Sequence, residues 1–268
     1  MIRQICCGLA IVALAFSQTR FAILGDRTGE TQGEVYADVW REIKAERPDF
    51  VLSVGDTIQG LNDASAEDEW LAVERLVTLP WWRKLYLAPG NHDIWSEASE
   101  ALFEKYSKRP RHYGFDHGPV HVTVLDNSRS DQLSTGELEF LEQDLSAHAN
   151  QPVKFIVSHR PSWILNAMLR NPEFPLHRLA KRYGVSYVIA GHIHQMIRAE
   201  IEGVTYISMP SAGGHLRASQ KYEDGWFFGH ALVIVQGGRI GFEVREVKGA
   251  VGLGRVSQAS EWGLAGRR

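Results

Sequence analysis

The sequence predicts an α/β fold with a largely parallel sheet, and three observations predict it. Short apolar runs alternate with amphipathic stretches of helical period through the first third of the chain. Each run closes on a polar cluster such as Gly25-Asp26 or Gly55-Asp56. The chain's 268 residues, 44% of them hydrophobic, suffice for one large core or two small ones.

Arg20 to Leu24 reads as a short buried strand ending at Gly25-Asp26. Val35, Val39, Trp40 and Ile43 follow at helical spacing, and Pro48 stops that helix. Phe50 to Val54 is a second strand, closing on Gly55-Asp56. Trp70, Val73, Leu76 and Val77 mark a second amphipathic helix, and Leu85 to Ala88 a third strand closed by Pro89-Gly90. Strands separated by helices imply parallel pairing through crossovers. Further on, Tyr113 to Phe115 and Val120 to Leu125 read as a hairpin. Leu138, Leu141 and Leu145 mark a helix that Ser134-Thr135 is suited to cap. Val153 to Val157 is a strand ending at Ser158-His159, and a loop-rich stretch with three prolines runs from Arg160 to Pro175. Leu176 to Tyr183 is a helix, and Val185 to Ala190 the strand feeding Gly191-His192. The last third reads as short strands: Met196 to Ile201, Val204 to Ser208, Ala231 to Val235 and Ile240 to Val244. No internal repeat or linker divides the chain, so residues 18–248 read as one domain. The Gly- and Ser-rich segment 249–268 lacks periodicity and reads as a frayed tail.

Net charge is −3, so there is no basic footprint for nucleic acid or an anionic membrane. Residues 1–17 have the form of a secretory signal peptide: Arg3, then twelve apolar or small residues from Ile5 to Phe16, then Ser17. That run is short for a transmembrane span, which takes about 20 residues. The expected location is therefore secreted or periplasmic. Both cysteines, Cys6 and Cys7, fall in this segment, so the mature chain would have no disulfide, thiolate ligand or cysteine nucleophile. No Gly-rich phosphate loop or dinucleotide fingerprint is present.

The chemistry lies in the strand-end clusters. Asp26 and Asp56 sit at consecutive strand ends, on the edge where open α/β sheets bind ligands. Gly90-Asn91-His92-Asp93 adds an amide and an imidazole, and Ser158-His159 another imidazole. In Gly191-His192-Ile193-His194 the two histidines are two apart, so on an extended backbone both would face one way. Any one of these elements alone is a common turn or cap. Together they offer six oxygen and nitrogen donors, a set suited to Mn, Fe or Zn. Two divalent ions, two aspartates and a hydroxide leave about one positive charge, which a phosphate group can satisfy. His112, His117, His121, His148, His177 and His230 carry no such context and read as surface or structural; His215, after two glycines, is a candidate for lining a pocket.

This ordered set, from Gly25-Asp26 to Gly191-His192-Ile193-His194, resembles the calcineurin-like metallophosphoesterase family. The resemblance implies a four-layer α/β/β/α sandwich with two mixed central sheets and a dinuclear metal site. It implies that Asp26 and His194 hold the first metal, that Asp56 bridges, and that Asn91, His159 and His192 hold the second. It implies hydrolysis of a phosphomonoester or phosphodiester by a metal-bridging hydroxide, with His92 as proton donor and Asp93 fixing its tautomer.

One departure stands out. The family's first motif is usually Asp-x-His, and here it is Asp26-Arg27-Thr28. A hydroxyl in place of an imidazole should weaken the first metal and favour Mn. Arg27 and Arg160 are candidate phosphate clamps. Substrate choice would fall to loops around Gln59–Glu69, Trp95–Arg111 and Arg160–Pro175, with Trp81, Trp82, Trp95 and Trp163 available to stack or to pack. Thr28 also admits a second reading, a catalytically weak relative that uses one metal for binding or scaffolding. The His92-Asp93 pair argues against it, since a scaffold has no need of a proton donor.

Overall fold

A computed structural model of the chain describes residues 18–248 and 254–267. The expected signal peptide, 1–17, lies outside the described residues. The order of elements follows the sequence expectation closely. Strand β1 (Thr19–Leu24), helix α1 (Gly33–Glu46), β2 (Phe50–Ser53), α2 (Ala66–Val77), the short α3 (Leu79–Trp82) and β3 (Leu85–Leu87) form the first half of an α/β arrangement. Helix α1 buries Tyr36, Val39, Trp40 and Ile43 and ends at Arg47, whose left-handed backbone closes it just before Pro48. Next come α4 (Glu97–Ser107), β4 (Tyr113–His117), β5 (Val120–Val124), α5 (Thr135–Ala147), β6 (Val153–Val157), α6 (Ile164–Met168), α7 (Pro175–Arg182), β7 (Tyr187–Ala190), β8 (Ile197–Ile201) and β9 (Val204–Ser208). Ser134 caps α5 as expected, its hydroxyl accepting from the Glu137 amide at 3.1 Å.

Two six-stranded sheets result. β5, β6, β7 and β9 run parallel in one, with β4 and β8 as antiparallel edges. β1, β2 and β3 run parallel in the other, which is completed by β10 (Gly229–Gln236), β11 (Arg239–Glu246) and β12 (Val256–Gln258). The sheets are thus more mixed than simple βαβ alternation predicts. The reason is the β10–β11 hairpin. Gly237 and Gly238 both have positive φ (56° and 76°), the geometry of a tight turn joining antiparallel strands. β10 then pairs antiparallel with the whole of β1, from Thr19 opposite Val235 to Leu24 opposite His230.

Strand alternation sorts the apolar residues into layers. Phe21, Ile23, Phe50 and Leu52 of one sheet meet Val122, Val124, Phe155 and Val157 of the other in a core between the sheets. Ala22 and Leu24 face the opposite way, onto Trp40 of α1, Trp70 of α2 and Phe103 of α4. Ile156 and Val188 likewise face Leu141 and Leu145 of α5 and Leu179 of α7. The architecture is the four-layer α/β/β/α sandwich. Trp82 and Trp163 are spent on these cores rather than on ligand.

Two expectations need correction. Trp95–Arg111 is not a plain loop, because α4 occupies most of it. The Ser96 hydroxyl accepts from the Ser99 amide in a capping box, and Phe103 and Tyr106 give the buried face. The frayed tail also fails, at least over 254–267; residues 249–253 and 268 lie outside the described set. β12 pairs with β11, and β13 (Trp262–Gly263) pairs with β14 (Gly266–Arg267). Trp262 is fully buried beside Tyr222 and Phe227, with ring centroids 5.2 and 5.6 Å away. Its indole N–H donates to the Ser257 hydroxyl at 2.8 Å. One well-placed indole outweighs a composition rich in Gly and Ser. Replacing Trp262 with Ala should cost roughly 3–5 kcal/mol in a urea titration, and a change under about 0.5 kcal/mol would return this segment to a tail.

Candidate metal centre

Every donor expected from the sequence stands at the carboxyl end of a parallel strand. Asp26 follows β1, Asp56 follows β2, Asn91 and His92 follow β3, His159 follows β6, and His192 and His194 follow β7. The first three strands belong to one sheet and the last two to the other, so the site forms where the two sheets' ends meet. Tight glycines make the approach possible. A Cβ on Gly90 would lie 2.2 Å from the Asp56 amide nitrogen and Oδ1, and one on Gly191 would lie 2.5 Å from Asp26 Oδ2.

The hydrogen bonds orient the imidazoles. His159 is fully buried, and its Nδ1 lies 2.9 Å from the Val54 carbonyl. That partner makes Nδ1 the N–H. Its Nε2 then faces the Asn91 amide oxygen at 2.9 Å, Asp56 Oδ1 at 3.4 Å and His192 Nδ1 at 3.1 Å. Three atoms able to bind a cation thus converge on one ring nitrogen, an arrangement that suits a divalent ion. One atom from each of Asp56, His159 and His192 falls within 4.8 Å of the others. His194 tells the same story. Its Nδ1 is 2.7 Å from the His215 carbonyl, while Nε2 is buried with no hydrogen-bond partner among the described residues, 3.8 Å from Asp26 Oδ1. A ring anchored through one nitrogen with the other left open is the usual posture of a ligating histidine. The donor set fits divalent metal: Asp56, His159 and His192 converge at one point, and His194 Nε2 faces Asp26.

The electrostatics agree. Burial pushes the Asp26 carboxyl up, with His194 and His159 pulling against it. Burial works the same way on Asp56, but the charge of His159, its hydrogen bond and His92 prevail and hold Asp56 well below the carboxylate range. Burial opposes charge on His159, yet Asp56 and Asp26 override it and raise the imidazole to about 9. His192, buried beside His159 and Arg160, is pushed down to about 3.

Several expectations change in detail. The Gly191–His194 segment is not extended: His192 and His194 have φ of 68° and 62°, and Asp56 has 55°. Three donors thus hold the left-handed conformation, at an order of 1–3 kcal/mol each. Asp93 does not touch His92. Its buried carboxylate accepts from the amides of Thr57 (2.8 Å), Ile58 (3.2 Å) and Gly90 (2.9 Å), tying the Asp56 loop to the Asn91 loop. Burial and Asp56 raise it to about 7. The partner of His92 Nδ1 is the Gln59 carbonyl. Thr28 is not a ligand either; its hydroxyl donates to Asp56 Oδ2 at 3.0 Å. Arg27 lies across the Tyr36 ring, 4.8 Å from its centroid, and donates to the Thr57 carbonyl, so it is no phosphate clamp in this conformation. Arg160 does reach the centre: its Nη1 is 3.4 Å from His192 Nε2 and 2.6 Å from Asp131.

Sequence reasoning missed Asn127 and the structural use of His215. The Asn127 side-chain oxygen accepts from the amides of His159 and Arg160 (3.0 and 2.9 Å), and its NH2 donates to the Arg160 carbonyl. The signal was one more polar cluster, Asp126-Asn127-Ser128, after the β5 run. His215 contributes its carbonyl to His194 rather than its ring, and no side-chain motif announces a carbonyl.

Comparison with known proteins bears on this arrangement. Residues 19–196 match the family model described as calcineurin-like phosphoesterase. A 3',5'-cyclic adenosine monophosphate phosphodiesterase of Haemophilus influenzae is 24% identical over 244 residues, covering 80% of this chain and 81% of that protein. A 3',5'-cyclic-nucleotide phosphodiesterase of Nostoc is 27% identical over 209 residues, covering 72% of this chain and 76% of that one. Among solved structures, a purple acid phosphatase from yellow lupin seeds superposes with a TM-score of 0.63 at 15% identity. That match covers 90% of this chain and 54% of the lupin chain, and it speaks to the fold.

Two outcomes are expected. The Asp26–His194 side has fewer donors than its neighbour, so dialysis against a chelator should remove one ion well before the other; metal content followed over time checks this, and simultaneous loss contradicts it. Asn127→Ala should weaken metal binding roughly 10–100-fold by calorimetric titration, through loss of the His159 anchor.

Proposed function

This chain belongs to the calcineurin-like phosphoesterase family and is a metal-dependent phosphoric ester hydrolase, and from that premise we propose that it cleaves a small phosphodiester at a dinuclear centre. A cyclic nucleotide is the first substrate to try, because two relatives of matching length bear that activity in their names. The observation that carries the reading is the convergence of Asn91, Asp56 and His192 on His159 Nε2, together with the Nε2 of His194, buried and unpartnered among the described residues.

Asp26, Asp56, Asn91, His159, His192 and His194 would hold the two ions. Bound there, divalent ions supply Lewis acidity and bring water's pKa toward neutrality, which makes a hydroxide nucleophile available. The mixed oxygen and imidazole set admits Mn, Fe or Zn, and the oxygen-rich Asp26–Asp56 side favours Mn.

The protein's own groups do the rest. His92 Nδ1 is committed to the Gln59 carbonyl, so Nε2 is the atom that meets substrate and gives a proton to the leaving oxygen. The His92 backbone amide donates to Asp56 Oδ1 at 2.8 Å, which fixes the spacing between proton donor and metal ligand. Asp93 keeps both loops in register from behind. Arg160, paired with Asp131 and 3.4 Å from His192 Nε2, would be the residue to meet a phosphate oxygen. Trp95 is half-buried, packed on the helix-side core and against Gly60, next to Gln59, and would be the aromatic to meet a base.

The test uses purified protein with added Mn, cyclic AMP, bis-p-nitrophenyl phosphate and p-nitrophenyl phosphate. Turnover of the diesters supports the reading. Silence on all three, across several metals, would favour the one-metal scaffold instead. His92→Ala should lower kcat on a ribose ester about 100- to 10,000-fold. It should slow release of p-nitrophenolate far less, since that leaving group needs no proton; equal losses would remove His92 from the proton-donor role.

A further inference from the structure

The far end of the second sheet carries another set of donors. His121 lies near the start of β5, whereas Asn127 of the centre described above lies beyond that strand's other end. Asp116 on β4 stands directly opposite His121 in the ladder, and His148 is the residue that closes α5. One donor atom from each of Asp116, His121 and His148 falls within 4.8 Å of the others.

Hydrogen bonds sort the imidazole nitrogens. His121 Nε2 lies 2.9 Å from Asp144 Oδ2, and His148 Nδ1 lies 2.8 Å from the Asp144 backbone carbonyl. The remaining nitrogen of each ring turns to Asp116: His121 Nδ1 is 2.8 Å from Oδ1, and His148 Nε2 is 4.0 Å from Oδ2. Each histidine thus has one nitrogen anchored on Asp144 and the other aimed at a shared carboxylate. Metal-binding histidines divide their nitrogens in the same way. Asp144 is itself held in place, accepting from the Thr123 hydroxyl at 2.5 Å. Gly114 leaves room for it, since a Cβ there would come within 2.3 Å of Asp144 Oδ1.

Charge and access also favour a cation. Asp116 and Asp144 bring two negative charges. The neighbouring Lys154 ammonium brings one positive charge and is bound to the carbonyls of Ala149 and Gln151. His121 is fully buried, but Asp116 and His148 reach solvent. The two rings are stacked, with centroids 4.0 Å apart and planes 16° from parallel. They must splay for both nitrogens to face one ion, and His148, partly exposed at a helix end, has the room.

We propose that Asp116, His121 and His148 form a separate site for one divalent transition ion, with Asp144 orienting both imidazoles. Two nitrogens, a carboxylate and a water suit tetrahedral zinc. The ion would pin the β4–β5 hairpin to the end of α5, a structural role independent of phosphoester cleavage.

The experiment uses the full chain carrying Asp56→Asn and His192→Gln, which disables the first centre. Zinc content is measured by mass spectrometry after equilibrium dialysis against micromolar zinc. His148→Gln and Asp116→Asn, added separately, should each lower it by about one ion per chain, with circular dichroism confirming the fold. Saturating zinc should raise Tm by roughly 5 °C in the background and not in the added variants. Equal zinc content with and without His148, or no zinc in the background, overturns the proposal and leaves His121 as an imidazolium held between two carboxylates.

Discussion

The rest of the centre depends on the crowding of carboxylate, amide and imidazole groups at one buried point. Two sheets bring them together, and the amides of His92 and His192 and the Thr28 hydroxyl donate to the two carboxylates. Asp26, Asp56, His159 and His194 are almost wholly buried. A divalent cation is the partner such a set of buried groups is suited to bind. The fold stabilises the site only as far as the surrounding cores absorb the cost of holding these groups together.

That cost is distributed. Three donors occupy the left-handed backbone region, and glycines stand where any side chain would strike a ligand. Behind them, Asp93, Asn127 and the carbonyls of Val54, Gln59 and His215 hold the loops and rings in orientation. None of these five residues would be a ligand. Their work is to make each imidazole present one chosen nitrogen, and a loop that slipped by an ångström would lose that choice.

Much of this could be read from the sequence, for a physical reason. Parallel strands must end on one edge, so Asp26 and Asp56 announce their meeting place through chain order alone. Fully buried strands such as Val153–Val157 are continuous apolar runs, and helices such as α1 carry an unbroken apolar stripe. What could not be read was determined by tertiary contact. Nothing local tells that Asp93 faces backbone amides, that Thr28 turns to Asp56, or that Arg27 folds over Tyr36. The His192–His194 spacing suggested a strand because alternation is the simplest way to place two side chains together; the chain uses two left-handed residues instead. The same limit hid His121 and His148, which are 27 positions apart and share a neighbour only because β5 packs beneath α5.

The pairing of β10 with β1 has a consequence for how the molecule is made. More than 200 residues separate β1 from its antiparallel partner, which follows Phe228. While they are made, that edge of β1 has no mate, and the residues that will border Asp26 are still being added. The first sheet is therefore completed only when this distant strand is available. A nascent chain of this topology stays unfinished, and open to helpers or to transport, until β10 emerges.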